Sequence, residues 1–121
     1  PPELALPKEY KNILKENNIT FYEHTDMQTV LNEADIVYMT RVQKERFSDI
    51  MEYEKTKNMY ILKNEMLENT KKNMKILHPL PRVNEIQQDV DENPKAYYFE
   101  QARNGVYTRQ AIISYLLHLN A

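Results

Sequence analysis

Apolar residues recur at helical spacing in several parts of the chain. Tyr10, Ile13 and Leu14 follow the i, i+3, i+4 pattern of an amphipathic helix, which predicts a helix over residues 8–17. The stretch from about residue 99 to residue 119 repeats this spacing and predicts a long C-terminal helix. Shorter helices are predicted after residues that cap helix N-termini well: Asp26, Ser48 or Asp49, and Asn64.

Three short runs between these segments predict strands. Residues 19–24 (ITFYEH) are rich in β-branched and aromatic side chains, and residues 74–77 (MKIL) form a similar apolar run. Residues 35–39 (DIVYM) lack polar alternation, which is typical of a strand that is buried on both faces. Strands that alternate with helices predict an α/β fold, with a parallel sheet flanked by helices. In such sheets, functional groups collect in the loops after the carboxyl ends of strands.

Composition narrows the function classes. The 121 residues fit one domain, and a formal charge of −2 disfavours a nucleic-acid partner. No run of about 20 apolar residues exists, so we predict no membrane span. The absence of cysteine and three scattered histidines predict no metal site. Gly105 is the sole glycine, so the chain has no glycine-rich phosphate loop, and phosphate chemistry must be completed from outside these residues.

The first loop that carries chemistry follows the strand at residues 35–39. It reads TRVQKER and contains Arg41, Gln43, Glu45 and Arg46. An arginine fork matches a carboxylate in two places, an amide both donates and accepts, and Glu45 can hold an arginine in place. The alternative is a charged loop that only faces solvent.

The second such loop, HPLPR, follows the strand at residues 74–77. It contains His78, Pro79, Leu80, Pro81 and Arg82. Two prolines stiffen the loop and leave its carbonyl groups without helix or sheet partners, so they can accept hydrogen bonds from an ammonium or amide group. Arg82 can add a contact to an anion. The alternative is a rigid turn in which Leu80 fills a gap in the core.

In this order, these segments resemble the aspartate carbamoyltransferases. The likeness extends over essentially the whole chain and rests on four segments: DIVYMTRVQKER (35–46), MKILHPLPRVNEI (74–86), DVD (89–91) and AYYFEQARNGVYTRQAIISYLL (96–117). The sister family of ornithine carbamoyltransferases usually has cysteine after the loop histidine. Pro79 occupies that position here and favours aspartate as the amine substrate.

The resemblance implies only part of an enzyme. Residues 1–121 are expected to form a partial aspartate-binding domain, doubly wound and Rossmann-like, without the N-terminal carbamoyl-phosphate domain. We expect the parent to be a cytoplasmic homotrimer, with or without regulatory chains, that uses L-aspartate and carbamoyl phosphate, needs no cofactor or metal, and serves pyrimidine (UMP) biosynthesis. The last helix resembles one that packs on the missing domain, so its apolar face should be partly uncovered.

Residue roles carry over by motif. The resemblance implies that Arg41 and Gln43 bind aspartate, and that the backbone carbonyls of Pro79 and Leu80 face the amino groups of the two substrates. The remaining loop residues are expected to order the two loops around the site: Glu45, Arg46, His78, Pro81 and Arg82.

Two readings of function remain open. In the first, the chain is the aspartate-binding part of a transferase and has no measurable turnover alone. In the second, it is a non-catalytic ligand-binding or regulatory module derived from the same fold. Retention of both TRVQKER and HPLPR favours the first. A phospho-receiver domain is disfavoured, because Asp35 begins a predicted strand instead of ending one.

Overall fold

The computed structural model describes residues 4–44 and 47–119. Four α-helices and two strands follow one another in an α/β order. The helices are α1 (Lys8–Glu16), α2 (Gln28–Leu31), α3 (Ile50–Thr56) and α4 (Tyr98–Leu116), and the strands are β1 (Ile36–Tyr38) and β2 (Lys75–Leu77). Two 3₁₀ turns lie at Asn64–Leu67 and Gln88–Glu92.

The two strands pair in parallel, with Val37 opposite Ile76, which confirms the predicted parallel sheet. The second edge of β2 is also covered, since the Ile76 amide donates to the Lys95 carbonyl (2.8 Å) and the Tyr97 amide donates to the Ile76 carbonyl (2.9 Å). Strand β2 is therefore central, and β1 lies at the edge of the described sheet.

The hydrophobic core surrounds β2. Its buried side chains come from helices, strands and loops alike: Leu31, Met39, Leu62, Leu67, Met74, Ile76, Ile86, Val90 and Tyr98. The start of α4 is held in this core through Tyr98, whereas the rest of the helix contributes no buried residue.

The side of the fold that carries β1 is open, which means that its apolar residues are exposed. Strand β1 exposes 62% of Ile36 and 55% of Tyr38, so the prediction that this strand is buried on both faces is wrong. The physical reason is that β2 is the one described element packed extensively against it. The chain exposes 9537 Å² in all, whereas a compact monomer of this mass exposes roughly 6,900 Å².

The apolar stripe of α4 lies on this open side, as expected from the resemblance. Val106, Ile113, Leu116 and Leu117 are all more than half exposed. No helix among the described residues is both long and apolar enough to cross a membrane.

The strand predicted at residues 19–24 is wrong, because the structure forms no strand there. A strand needs a neighbour to complete its backbone hydrogen bonds, and among the described residues this segment makes none with β1, the strand whose outer edge is open. The segment is tied down through side chains, by an ion pair between Lys11 and Glu23 (2.6 Å) and by a hydrogen bond from Tyr60 to the carbonyl of Thr25 (3.0 Å).

One of the predicted helix caps is confirmed: Asp49 is the N-cap of α3 and accepts from the amide of Met51 (2.8 Å). Asp26 accepts from the amide of Gln28 (2.9 Å), but the N-cap position of α2 is Met27, one residue later, so the prediction for Asp26 is wrong by one residue. Asn64 does not cap a helix, because it lies within a 3₁₀ turn and its side chain accepts from Asn93 (2.7 Å).

Candidate functional site

The loops after β1 and β2 meet at the carboxyl edge of the sheet. Neighbouring parallel strands end at the same edge, so loops that are far apart in the chain come together. Between them lies a cavity of about 500 Å³, lined by Thr40, Arg41, Gln43, His78, Pro79, Leu80, Pro81 and Val83. The structure thus brings together Arg41, Gln43, Pro79 and Leu80, the four residues to which the resemblance gives a substrate-binding role.

The loop after β1 contributes Arg41 and Gln43 to the cavity. Arg41 is exposed and Gln43 is half-buried. Arg41 also borders a second cavity of about 350 Å³, whose polar lining includes His24, Asp26 and Tyr60. The expected roles of Glu45 and Arg46 remain predictions, since both residues lie outside the described part of the chain.

The loop after β2 has a defined backbone shape. Leu80 has a φ of 43°, in the left-handed region that a leucine rarely adopts, and the Leu80–Pro81 peptide bond is cis. The loop begins at the His78 amide, which donates to the side chain of Gln101 on α4 (2.9 Å). The Leu80 side chain packs against the core, as in the alternative reading of this loop, while the loop itself lines the cavity.

His78 is buried under this loop and hydrogen-bonded on both ring nitrogens. Its Nδ1 accepts from the amide of Leu80 (2.8 Å), and its Nε2 lies 2.7 Å from Oε1 of Glu85. Because an amide can only donate, the ring proton belongs on Nε2, which donates to the carboxylate.

Glu85 is buried as well and is ionised. Burial alone raises the pKa of its carboxyl group, but hydrogen bonds from the backbone amides of Glu85 itself, Val83 and Asn84 and from His78 more than offset that effect. The pKa of Glu85 therefore lies below its ordinary value, and the carboxylate is the charged acceptor at the centre of the loop.

Arg82 is held by Asp91 and Tyr98. Both terminal nitrogens of its guanidinium contact the Asp91 carboxylate, and one also donates to the Tyr98 hydroxyl (3.1 Å). Asp91 raises the pKa of Arg82, and Arg82 lowers the pKa of Asp91. Burial, together with the Asp91 carboxylate, raises the pKa of Tyr98 to about 12. Asp91 takes up the fork of Arg82 in this structure, and the suggested contact of Arg82 with a bound anion stays a prediction.

Sequence reasoning did not single out Glu85 or Gln101, which shape the loop after β2. Glu85 follows His78 by seven residues, a separation with no standard meaning in a loop, and Gln101 lies on a helix 23 residues away. Both residues are recognised by their hydrogen bonds to His78, which form only in the folded chain. The described residues contain no group of three or more His, Cys, Asp or Glu side chains placed to hold a metal ion.

Comparison with known proteins gives a consistent result. Residues 1–116 match the family model described as aspartate/ornithine carbamoyltransferase, Asp/Orn binding domain. The catalytic subunit of aspartate carbamoyltransferase from Bacteroides fragilis is 65% identical over 114 residues, which make up 93% of this chain and 37% of that protein. The corresponding subunit from Azobacteroides pseudotrichonymphae is 59% identical over 120 residues.

Solved structures show the same likeness. The catalytic subunit of aspartate transcarbamoylase from M. jannaschii superposes with a TM-score of 0.87 at 46% identity, over 99% of this chain and 40% of that one. The enzyme from Trypanosoma cruzi in complex with carbamoyl phosphate and aspartate gives a TM-score of 0.81 at 28% identity, over 93% of this chain and 38% of that one. The chain thus spans about two-fifths of the length of the relatives that it matches.

Proposed function

This chain belongs to the aspartate/ornithine carbamoyltransferase family, in which it matches the amino-acid-binding domain, and we propose that it supplies the L-aspartate half of a carbamoyl-transfer site. The observation that carries the proposal is the cavity between the loops after β1 and β2. It gathers one guanidinium, one amide side chain and the backbone of a proline-stiffened loop within about 500 Å³. These are the groups that a dicarboxylate bearing an amine requires.

The proposed roles are those that the family resemblance implies, and they fit this chemistry. Arg41 binds a carboxylate of L-aspartate, and Gln43 completes the contact with its amide. The carbonyls of Pro79 and Leu80 accept hydrogen bonds from the amino groups of the two substrates. His78, Pro81 and Arg82 order the loop after β2, and Glu45 and Arg46 order the loop after β1.

We propose that residues 1–121 act with a carbamoyl-phosphate-binding domain that they do not contain. The aspartate amine attacks the carbonyl carbon of carbamoyl phosphate. The new C–N bond replaces the bond from that carbon to the phosphate oxygen, phosphate leaves with the bonding electron pair, and the amine loses a proton. Catalysis in this scheme comes from positioning and from stabilising the developing negative charge. The product, N-carbamoyl-L-aspartate, places the parent in pyrimidine biosynthesis, and the proposed assembly is a homotrimer, with or without regulatory chains, in the cytoplasm.

A split assay tests the proposal. The chain is assayed for carbamoyl-aspartate alone and mixed with a separately made N-terminal half of the Bacteroides fragilis relative. We expect no measurable turnover alone and turnover in the mixture. Arg41→Ala should reduce that turnover by roughly 100-fold or more, since it removes a charge-assisted carboxylate contact. The matched control is Arg103→Ala, on an exposed arginine of α4 paired with Glu100.

Three results decide against the proposal. If the folded chain gives no product in the mixture, the non-catalytic ligand-binding module becomes the better account. If Arg41→Ala and Arg103→Ala behave alike in an active mixture, the assigned role of Arg41 is wrong. Turnover by the chain alone would show that these residues form more than half a site.

A further inference from the structure

We propose that Glu85 is a positioning residue for substrate binding, which acts through buried His78 to hold the peptide group between Pro79 and Leu80 in its binding orientation. The inference rests on the proposed function, because it explains how one of the proposed carbonyl acceptors is aimed. Glu85 itself does not line the cavity. Its effect is transmitted through the His78 ring and the Leu80 amide.

Two hydrogen bonds link Glu85 to the Leu80 amide through the His78 ring. The Glu85 carboxylate lies 2.7 Å from Nε2 of His78, and their side chains are only 4% and 1% exposed. On the far side of the ring, Nδ1 accepts from the Leu80 amide at 2.8 Å. The contact between Glu85 and His78 is thus shielded from water, where a hydrogen bond left unmade costs the most, and the contact with the Leu80 amide is partly buried.

The direction of the ring proton couples the two ends. A carboxylate can only accept, so it requires the proton on Nε2, and this leaves Nδ1 free to accept from Leu80. The opposite tautomer would set an N–H of the ring against the N–H of Leu80. Glu85 therefore selects the one ring state that can anchor the loop.

The anchored amide also fixes the neighbouring carbonyl. The peptide bond between Pro79 and Leu80 is trans, and a trans peptide points its N–H and C=O in opposite directions. With the Leu80 N–H held inward on buried His78, the Pro79 carbonyl is turned outward, away from the core. Because Leu80 has a φ of 43°, a conformation that costs a non-glycine residue free energy, the loop needs such an anchor to keep this shape.

A carboxylate is required because all its neighbours donate. Oε1 accepts a hydrogen bond from Nε2–H of His78, and Oε2 accepts hydrogen bonds from the amides of Val83 and Asn84, each at 3.1 Å. A glutamine has the same shape but one oxygen and one NH₂ group. It must present a donor either to His78 or to the two amides, so it cannot satisfy both ends.

The test compares three variants with the wild-type chain. Glu85→Gln keeps the shape and removes one acceptor, while Glu85→Asp keeps the carboxylate and shortens the reach by one methylene. Glu92→Gln makes the same chemical change on an exposed carboxylate nearby and is the matched control. Circular dichroism establishes that each variant is folded.

The measurements are made by NMR on the ¹⁵N-labelled chain. Long-range ¹H–¹⁵N correlations report the His78 tautomer, hydrogen exchange reports the Leu80 amide, and titration with L-aspartate reports binding. We expect the proton on Nε2 in the wild type. Glu85→Gln should speed exchange of the Leu80 amide and weaken L-aspartate binding, each by about tenfold or more, equivalent to one buried hydrogen bond. Glu85→Asp should fall between, and Glu92→Gln should match the wild type.

Several results would overturn the inference. One is a wild-type His78 that carries its proton on Nδ1. Another is a folded Glu85→Gln chain with unchanged Leu80 exchange and unchanged affinity. If Glu85→Gln does not fold, unchanged Leu80 exchange in Glu85→Asp serves as the contradicting result. A wild-type chain that does not bind L-aspartate would contradict the proposed function, whereas the tautomer and the Leu80 amide still decide the role of Glu85.

Discussion

Strands β1 and β2 have the same length and pair with each other, yet their surroundings differ. Ile76 of β2 is completely buried, whereas Ile36 of β1 is 62% exposed. Strand β2 has a backbone partner on each edge, while β1 has one on the edge that faces β2. The chain therefore has a packed side around β2 and an open side that includes β1 and the apolar stripe of α4.

The difference shows how the candidate site is built. The loop after β2 belongs to the packed side and is fixed by His78, Glu85 and Arg82. The loop after β1, with Arg41 and Gln43, extends from the open side. One loop presents its backbone within a buried hydrogen-bond network, and the other presents the side chains of Arg41 and Gln43 to the cavity.

The largest expected effect contrasts the two strands directly. Ile76→Ala removes three carbon atoms from the fully buried core and should lower the free energy of unfolding by about 2–5 kcal/mol. Ile36→Ala makes the same change on the exposed strand and should cost less than about 0.5 kcal/mol. Urea unfolding of both variants measures the contrast. Equal losses would show that β1 is as well packed as β2.

The second effect concerns the Arg82–Asp91–Tyr98 cluster of the packed side. Asp91→Asn leaves a partly buried guanidinium without its charged partner and should cost about 1–3 kcal/mol, whereas Asp89→Asn, on an exposed neighbour, should cost almost nothing. Because Arg82 lowers the pKa of Asp91 in the folded chain, the extra stability is present above the ordinary carboxyl pKa and is lost as the pH falls below about 4.

Unfolding curves from pH 7 down to pH 3 test this dependence. The difference between the wild type and Asp91→Asn should be full at neutral pH and should narrow at the acid end. A stability difference between the two proteins that stays constant over that range would contradict the prediction, because it would show that the effect of Asp91 does not depend on its charge.

The third effect is the loss of one hydroxyl from the same cluster. Tyr98→Phe should cost about 1 kcal/mol, the usual contribution of a hydrogen bond, while Tyr115→Phe, on a residue that is 81% exposed, serves as the neutral control. Burial and Asp91 raise the pKa of Tyr98 to about 12. Its contribution should therefore be complete below pH 10 and decline as the pH rises toward 12.

Ultraviolet titration of the tyrosines checks this prediction. The wild type should show a late phenol ionisation near pH 12, and Tyr98→Phe should remove that late step. A titration that is the same in both proteins would place the late phenol elsewhere.

The smallest expected effect has the opposite sign and belongs to the open side. Gly105 lies within α4, where glycine weakens a helix, and an added Cβ would meet only the end of the flexible Arg109 side chain, at 2.9 Å. Gly105→Ala should raise the free energy of unfolding by about 0.5–1 kcal/mol as Arg109 moves aside. Ala102→Gly, the reverse change on the same helix, should lower it by a similar amount. A destabilising Gly105→Ala would mean that Arg109 is held in place.

The helix capped by Asp49 and the long α4 were predictable, because each depends on local spacing and capping chemistry. The parallel pair was predictable because strands that alternate with helices pair in parallel. The strand at residues 19–24 and the burial of Ile36 were predicted wrongly, since both depend on long-range packing that a short segment does not encode. For the site, the two loops stand out by residue type and by position after strands. Glu85 does not, because its role arises from partners brought together only by the fold.

We predict that one L-aspartate molecule is bound by both loops together. Titration of L-aspartate into the ¹⁵N-labelled chain, followed through the amides of Arg41, Gln43 and Leu80, tests this prediction. All three amides should shift along one saturation curve, and in Arg41→Ala the amides of position 41, Gln43 and Leu80 should no longer shift. Saturable shifts confined to one loop, or different midpoints for the two loops, would contradict a shared site.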